Sequence, residues 1–548
     1  MTQINGTLAD QNGKLTGHMP NDFIWLSHNI KILLKKIESA KKSNKSSIME
    51  INSNIQSFFR NKVVFITGGT GFLGKVFIEK LLRSTEVQYI YVLARPKSGK
   101  DASERFAQIF KEPVFEKLHA ARPNSLKFIK TIAGDCTLPN LGISHEDRQE
   151  LIENVDVVIH SAATVRFNEP LSNATQINVE ATIDMLKLAK EMKHLKAFVH
   201  VSSAFANCLA LHGEERFYTE HLGINSEDLL CIKNILGNEK FDRMEVDMVG
   251  KYPNTYCFTK SLAEEAVLRY SGNLPVCIFR PGIILPTSAE PVPGWIDNLY
   301  GPMSVLYGAA YGVLRVMYGN PNQNAGLVPV DFCANMMLAC AWYTATAVKQ
   351  IPSSDPPIYN LVPDESNTLH WGAYKRFVEE HGVEIPLASM IWYPFLIFAQ
   401  NAYFYRFLIL IYHILPGYFI DFVLLLMGKK PRMTKAYKKI HKQCSLLRYF
   451  LQNSFTFDTT NTKNLWKIMS ADDRRIYNFD MAALDWSQYF YNSLYGLRRF
   501  LAKEDPSTIP QAKKLLRKFQ ILHCAVHLVA FVGIAWLLWS FLKFIFLS

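Results

Sequence analysis

The sequence predicts an α/β fold: a doubly wound parallel sheet, followed by a mainly helical C-terminal domain and a C-terminal transmembrane helix. Three observations predict it. Short apolar, β-branched runs recur at Lys62–Thr67, Gln88–Ala94, Phe128–Ala133, Val155–Ser161, Ala197–Ser202 and Val276–Arg280, and between them lie segments such as Phe72–Leu82 and Ala174–Met192 with apolar residues three and four apart. Strands alternating with helices imply a parallel sheet covered on both faces. After about residue 365 the alternation stops and the composition turns aromatic. From Ile521 to Leu542 the chain is almost purely apolar, broken only by His523, His527 and Ser540.

These shifts divide the chain. Residues 1–55 are a polar leader with one amphipathic stretch, Phe23–Ile37, and no expected core role. Residues 56–365 hold the parallel sheet and a substrate-binding part, 366–505 a helical C-terminal domain, 506–520 a basic linker and 521–542 the membrane span. Within the helical part, Met390–Met427 is rich in Phe, Tyr, Leu and Ile but interrupted by Arg406, His413, Pro416 and Asp421. It reads either as a helical hairpin of the second domain or as a surface that dips into a membrane.

A chain of 548 residues, 49% hydrophobic, exceeds one ordinary core and excludes disorder as a whole. Its formal charge of +12 suits anionic partners: phosphorylated cofactors, coenzyme A or the negative face of a cytoplasmic leaflet. No nucleic-acid motif accompanies that charge, so no nucleic-acid partner is expected. The nine cysteines are scattered, without a C-x2-C pair or a Cys/His cluster at ligand spacing, so neither disulfides nor a metal site is signalled. The N-terminus lacks the charged-then-apolar order of a secretory signal. A reducing, cytosol-facing compartment follows.

The span of 521–542 matches about 30 Å of hydrocarbon. Lys513, Lys514, Arg517 and Lys518 precede it, as expected of residues retained on the cytoplasmic side. With few residues after it, the sequence predicts a tail anchor whose catalytic part faces the cytosol.

The sharpest local signal is Thr67-Gly68-Gly69-Thr70-Gly71-Phe72-Leu73-Gly74, set between a strand and a helix. In a Rossmann-type dinucleotide site Gly68 permits the tight turn, Gly71 admits the pyrophosphate to the backbone and Gly74 allows close helix packing, while the helix N-terminus attracts the anion. The second strand ends Leu93-Ala94-Arg95-Pro96-Lys97, with no acidic residue to hold a ribose 2′-hydroxyl. Arg95, supported by Lys97, suits a 2′-phosphate instead, which predicts NADPH. Asp135, after the third strand, is placed either to bond the adenine amino group or as an ordinary turn residue.

Tyr256 and Lys260 stand four apart, so on a helix they share one face. A neighbouring cation brings a phenol into acid-base use. Ser202 or Ser203, one strand-helix unit earlier, can hold a carbonyl oxygen for hydride transfer or simply cap a strand end. Hydride donor, orienting hydroxyl and protonating Tyr together define carbonyl reduction.

With these residues in view the chain resembles the extended short-chain dehydrogenases/reductases, on TGGTGFLG, the Tyr-x3-Lys pair, His-Ser-Ala-Ala at 160–163 and Arg280-Pro281-Gly282. More narrowly it is similar to the alcohol-forming fatty acyl-CoA reductases over roughly residues 57–505, including their C-terminal sterile domain, with Val328-Pro329-Val330-Asp331 and the segment from Trp486 to Arg499 as landmarks. The resemblance implies that Gly68, Gly71 and Gly74, with Thr67, Phe72, Leu73, Pro281 and Gly282 beside them, hold the cofactor. It implies Arg95 at the 2′-phosphate, Tyr256 and Lys260 at the catalytic centre and Ser203 at the substrate oxygen. The activity implied is conversion of a long-chain acyl-CoA through an aldehyde to a primary alcohol with two NADPH, at an endoplasmic reticulum or peroxisome membrane. The rival readings are another reductase of this fold, acting on a sterol ketone or stopping at the aldehyde, and a nucleotide-binding scaffold without turnover.

Overall fold

The computed structural model describes residues 53–96, 99–346 and 355–547. The Phe23–Ile37 stretch and Lys97 lie outside the described residues. Seven parallel strands form the main sheet: β1 (Val63–Thr67), β2 (Tyr89–Ala94), β3 (Ile129–Ala133), β4 (Val157–His160), β5 (Ala197–Val201), β6 (Val276–Pro281) and β7 (Ile358–Leu361). Their order across the sheet is β3-β2-β1-β4-β5-β6-β7. The chain therefore winds outward in both directions from β1, and the gap between β1 and β4 is the topological switch point at which such sheets bind ligands, beyond the carboxyl ends of the strands. Six of the strands coincide with the six apolar runs. The seventh, β7, follows Pro356 and Pro357 and is four residues long.

Strand β1 is buried from end to end. Its side chains alternate: Val64 and Ile66 pack into one core layer, Val63 and Phe65 into the other. On the first face lie α1 (Phe72–Ser84), against β1, and its neighbour α4 (Val330–Thr346); on the second lie α2 (Ala181–Glu191) and α3 (Thr255–Ser271). Helix α4 is buried nearly all round, as its apolar composition requires. The segment Ala174–Met192 is helical as expected, but a one-turn π-bulge at Gln176–Glu180 precedes α2. Ser53 and Ile55, inside the leader expected to take no part in the core, are buried. The Ser53 hydroxyl donates to Asp473 at 2.6 Å, tying the start of the described chain to its C-terminal part.

The C-terminal part is mainly helical: α5 (Ala402–Leu426), α6 (Met433–Gln452), α7 (Thr460–Ile468), α8 (Trp486–Gly496) and α9 (Ile509–Leu547). Pro416 is tolerated within α5 because a π-bulge at Leu410–Ile414 precedes it, and the Tyr412 carbonyl it cannot serve accepts the Arg315 guanidinium at 3.0 Å. In α8, Gly496 packs directly on Gly294; a Cβ there would fall 1.7 Å from the Gly294 oxygen. Asp331, from the Val-Pro-Val-Asp landmark, is buried and accepts the backbone N–H groups of Ser288, Ala289 and Glu290 at 2.9 to 3.0 Å. Both landmark segments thus clamp one loop, 286–295.

Helix α9 has 39 residues, about 58 Å at 1.5 Å per residue. Ala512 and Leu516 in its first turns are buried, whereas from Ile521 onward its large apolar side chains are exposed. The basic segment and the apolar segment form one continuous rod.

Candidate active site

Every described sequence-predicted site residue stands at the carboxyl edge of the sheet or on the helix that follows it. The turn after β1 carries Gly68 at φ +77°, a conformation only glycine adopts freely. Gly74 faces back onto this turn: a Cβ would lie 2.3 Å from the Gly68 oxygen and 2.6 Å from Gly69 Cα. Its role is to let the helix approach the turn itself. Gly71 begins α1 with no side-chain cap, leaving the first backbone N–H groups for an anion. Thr67 is internal; the Leu73 side chain belongs to the core and Phe72 stacks on Trp295 at 5.4 Å, so Phe72 and Leu73 can meet an anion only through their backbone.

Thr67 and His160 fix the neighbouring strand ends. Thr182 gives its proton to the Asn178 carbonyl, so it accepts Nε2–H of His160 at 3.0 Å; Nδ1 then accepts the Thr67 hydroxyl at 2.8 Å, and Thr67 Oγ1 accepts the Ala162 N–H. This chain of donors requires neutral His160. Burial, helped by the Lys260 charge, indeed pushes its imidazole down to about 3.

At the end of β2, Arg95 is exposed, 3.6 Å from Asp135, and its carbonyl accepts Arg105 Nη1 at 2.8 Å. Arg105 thus brings a second guanidinium to this corner. Sequence reasoning missed it, since nothing in the helix Ala102–Ile109 marks that residue as facing β2. Asp135 caps its own turn through the Thr137 N–H at 3.0 Å.

The two serines after β5 have different surroundings. Ser202 Oγ donates to Glu264 Oε1 at 2.6 Å. Glu264 also binds Arg280 at 2.6 and 2.8 Å and Asn207 at 2.9 Å, all inside the protein. Ser203 Oγ accepts the Phe205 N–H at 3.1 Å and lies near enough to Tyr256 to favour its phenolate. Glu264 was a missed residue with a legible signal: an acid one turn beyond Lys260 on the face of a helix expected to be buried.

Tyr256 and Lys260 share one face of α3, as their spacing demands. Asn254 caps the helix by accepting the Cys257 N–H at 2.9 Å. The phenol of Tyr256 is pushed well above its ordinary range by burial, with the Ser203 hydroxyl opposing. It is a protonated donor at neutral pH. Lys260 Nζ donates to the Val201 carbonyl at 2.8 Å, and burial brings its ammonium down to about 8, against the pull of Glu264. Between them Thr259 bonds Asn178 Nδ2 at 2.9 Å, and Asn178 Oδ1 accepts the Thr164 N–H at 3.0 Å. Asn178 sits in the π-bulge before α2, a placement no local sequence pattern announces. Pro281 ends β6 and Gly282 follows it; a Cβ at Gly282 would lie 2.4 Å from the Gly326 oxygen, so this glycine is needed for packing.

The wall beside Tyr256 is aromatic. Phe167 stacks on its ring at 5.8 Å and meets Phe450, from the end of α6, at 5.6 Å; Phe205 joins Phe450, Phe455 and Phe457 edge-on at 5.3 to 5.6 Å. The C-terminal part therefore supplies one side of this aromatic wall. Among the described residues no His, Cys, Asp or Glu group could hold a metal ion.

The NAD-binding model of the male sterility protein family covers residues 66–337, and its Sterile model covers residues 412–504. The chain is 46% identical to "Fatty acyl-CoA reductase wat" of Drosophila melanogaster over 90% of its length and 94% of that protein. It is 36% identical to "Fatty acyl-CoA reductase 2" of Bos taurus over 88% and 93%. Among solved structures, the reductase domain of a nonribosomal peptide synthetase from Mycobacterium tuberculosis shares the fold at a TM-score of 0.52 and 16% identity, over 84% of this chain and 97% of that one. The terminal R domain of the myxalamid pathway does so at 0.50 and 19%, over 80% and 90%. The NAD-binding model spans the glycine turn and the open N-terminus of α1, and its match supports a nicotinamide cofactor for this chain.

Proposed function

Because the chain belongs to the fatty acyl-CoA reductase family, we propose that it reduces a long-chain acyl-CoA to the primary alcohol with NADPH, through an aldehyde, releasing coenzyme A. The observation that carries this reading is the convergence of Ser203, Tyr256 and Lys260 beside an aromatic wall. NADPH, when bound, supplies one hydride to the carbonyl carbon in each of two reductions. Ser203 holds the carbonyl oxygen and Tyr256 gives it the phenolic proton as negative charge develops there. Lys260, when charged, favours the phenolate left behind. After the first reduction the carbon–sulfur bond breaks and coenzyme A leaves as the thiol; the aldehyde oxygen then meets the same two hydroxyls. Two NADPH and two protons are consumed per acyl-CoA.

Ser203 is the substrate-facing hydroxyl in this reading, because Ser202 is committed to Glu264. Arg95 and Arg105 are the partners of the 2′-phosphate. Arg95→Asp is expected to weaken NADPH at least about tenfold more than NADH, which is about 1.4 kcal/mol; equal losses measured by cofactor titration would remove Arg95 from that role. Helix α9 is the anchor, with Lys513 and Lys514 on the cytosolic side of an endoplasmic reticulum or peroxisome membrane. Protease digestion of sealed organelles tests that orientation. The decisive assay for the activity is mass spectrometry of products from membranes carrying the full chain, given acyl-CoA and NADPH. Primary alcohol of unchanged chain length with free coenzyme A is expected; accumulation of aldehyde alone, or no product, overturns the reading.

A further inference from the structure

Helix α5 reverses the usual burial pattern. Tyr403, Phe407, Leu415, Tyr418, Phe419 and Leu426 project outward, Phe419 at 68% exposure. The buried stripe is Leu408, His413, Gly417 and Asp421, spaced five, four and four apart because the π-bulge adds one residue to the first interval, and its polar members are partnered. His413 accepts the Arg315 N–H at 3.0 Å and bonds His441 at 2.9 Å. Asp421 accepts the N–H groups of Arg432, Met433 and Thr434 at 2.8 to 2.9 Å, capping α6. Water does not reward such a surface; a continuous apolar face of this size marks an interface.

Two features identify the occupant as lipid. First, α5 is 25 residues long with an 18-residue stretch at a mean hydropathy of 2.0, enough to span, yet the chain before α5 and the far end of α6 after it both return to one strand, Val316–Tyr318. Before it, Ile397–Ala399 pairs with that strand. After it, the Arg448 guanidinium of α6 lies 4.5 Å over the Tyr318 ring and Asn320 N–H donates to Leu451 at 2.9 Å. A crossing by α5 would draw the lysine-rich α6 that packs along it into the bilayer, so α5 lies along a surface. Second, residues 402–452 contain nine Lys and Arg against one acid, the buried Asp421. Lys429, Lys430 and Arg432 stand exposed at the end of α5 and Lys435, Lys438, Lys439 and Lys442 along α6, where anionic headgroups attract each at about 1 kcal/mol.

We propose that α5 lies in plane within the cytosolic leaflet of an anionic membrane, a second lipid contact beside α9. The two helices adjoin: Tyr412 hydroxyl is 3.1 Å from His527 Nε2, and Phe395, in the chain ahead of α5, packs on His523 at 4.9 Å. Seating α5 in the leaflet holds the body flat against the bilayer. The inference is independent of the reductase reading.

The test uses the full chain in vesicles of phosphatidylcholine, with or without phosphatidylserine, carrying a lipid with a photoactivatable diazirine in its acyl chain. After irradiation, lipid adducts are mapped by mass spectrometry. Adducts on peptides within 403–426 as well as 521–546 are expected, with Phe419→Glu abolishing the former and sparing the latter. Replacing Lys429, Lys430 and Arg432 by Glu should lower the 403–426 yield only where phosphatidylserine is present. Adducts confined to 521–546, or cross-links from α5 to a second copy of the chain, overturn the proposal. Adducts at 403–426 without any at 521–546 uphold it and remove the anchor reading of α9.

Discussion

Helices α3 and α5 divide the molecule into two regimes. On α3, polar groups are drawn inside and paired: Lys260 with a carbonyl, and Glu264 with Arg280, Ser202 and Asn207. On α5, apolar groups are pushed outside while His413 and Asp421 are held within. Each pattern is costly in water alone. The first is stable because every buried charge has its partner; the second is stable if the outer solvent is not water. Burial by itself therefore does not mark function here. What separates the two regions is which kind of group lies on the wrong side of the surface.

The largest effect should come from breaking the paired interior of the first region. Glu264→Ala leaves the Arg280 guanidinium, 2% exposed, with only the carbonyls of Glu214 and Arg216. A loss of about 3–5 kcal/mol in unfolding free energy is expected, read by chemical denaturation of the reconstituted full chain. A loss below about 1 kcal/mol, the scale of an exposed pair, would mean the pair is not desolvated.

Next comes the chemistry that this interior positions. Tyr256→Phe keeps the ring stacked on Phe167 and removes only the hydroxyl. Turnover should fall at least about a hundredfold, the scale of a positioned general acid, while NADPH affinity by fluorescence titration stays nearly unchanged. Near-normal turnover would show that another group delivers the proton.

Much of the first region was legible and little of the second. The glycine turn, Tyr256 and Lys260 are local signals, and the six apolar runs became six sheet strands because strand and helix periods differ. Strand β7 escaped because four residues behind two prolines carry too little period to read. Asn178 and Arg105 escaped because their roles come from a π-bulge and a tertiary approach. For α5 the difficulty is deeper: an apolar stripe at helical spacing looks the same whether it faces a core or a lipid. Only the inward orientation of His413 and Asp421 distinguishes the two.

A smaller effect is set by Lys260. Burial lowers its folded pKa to about 8 from an unfolded value near 10.5. Between those values the folded state has shed a proton that the unfolded chain still holds, so stability from this group rises with pH across the window. Activity should do the opposite. If the charged ammonium stabilises the phenolate, kcat/KM falls above pH about 8 by roughly tenfold per unit. A flat profile to pH 10 with intact folding would show that the charge of Lys260 is not used.

The smallest expected effect bears on the comparison most directly, because it sets one phenylalanine from each regime against the other. Phe77 on α1 is fully buried, and Phe77→Ala should cost about 3–5 kcal/mol through lost transfer energy and the cavity left behind. Phe419 on α5 is 68% exposed, so Phe419→Ala removes almost no packing within the protein. In detergent its unfolding midpoint should shift by no more than the equivalent of about 0.5 kcal/mol. If α5 instead closes onto the protein interior, Phe419→Ala will cost several times that amount. The contrast between α3 and α5 would then be one of packing, with no second solvent involved.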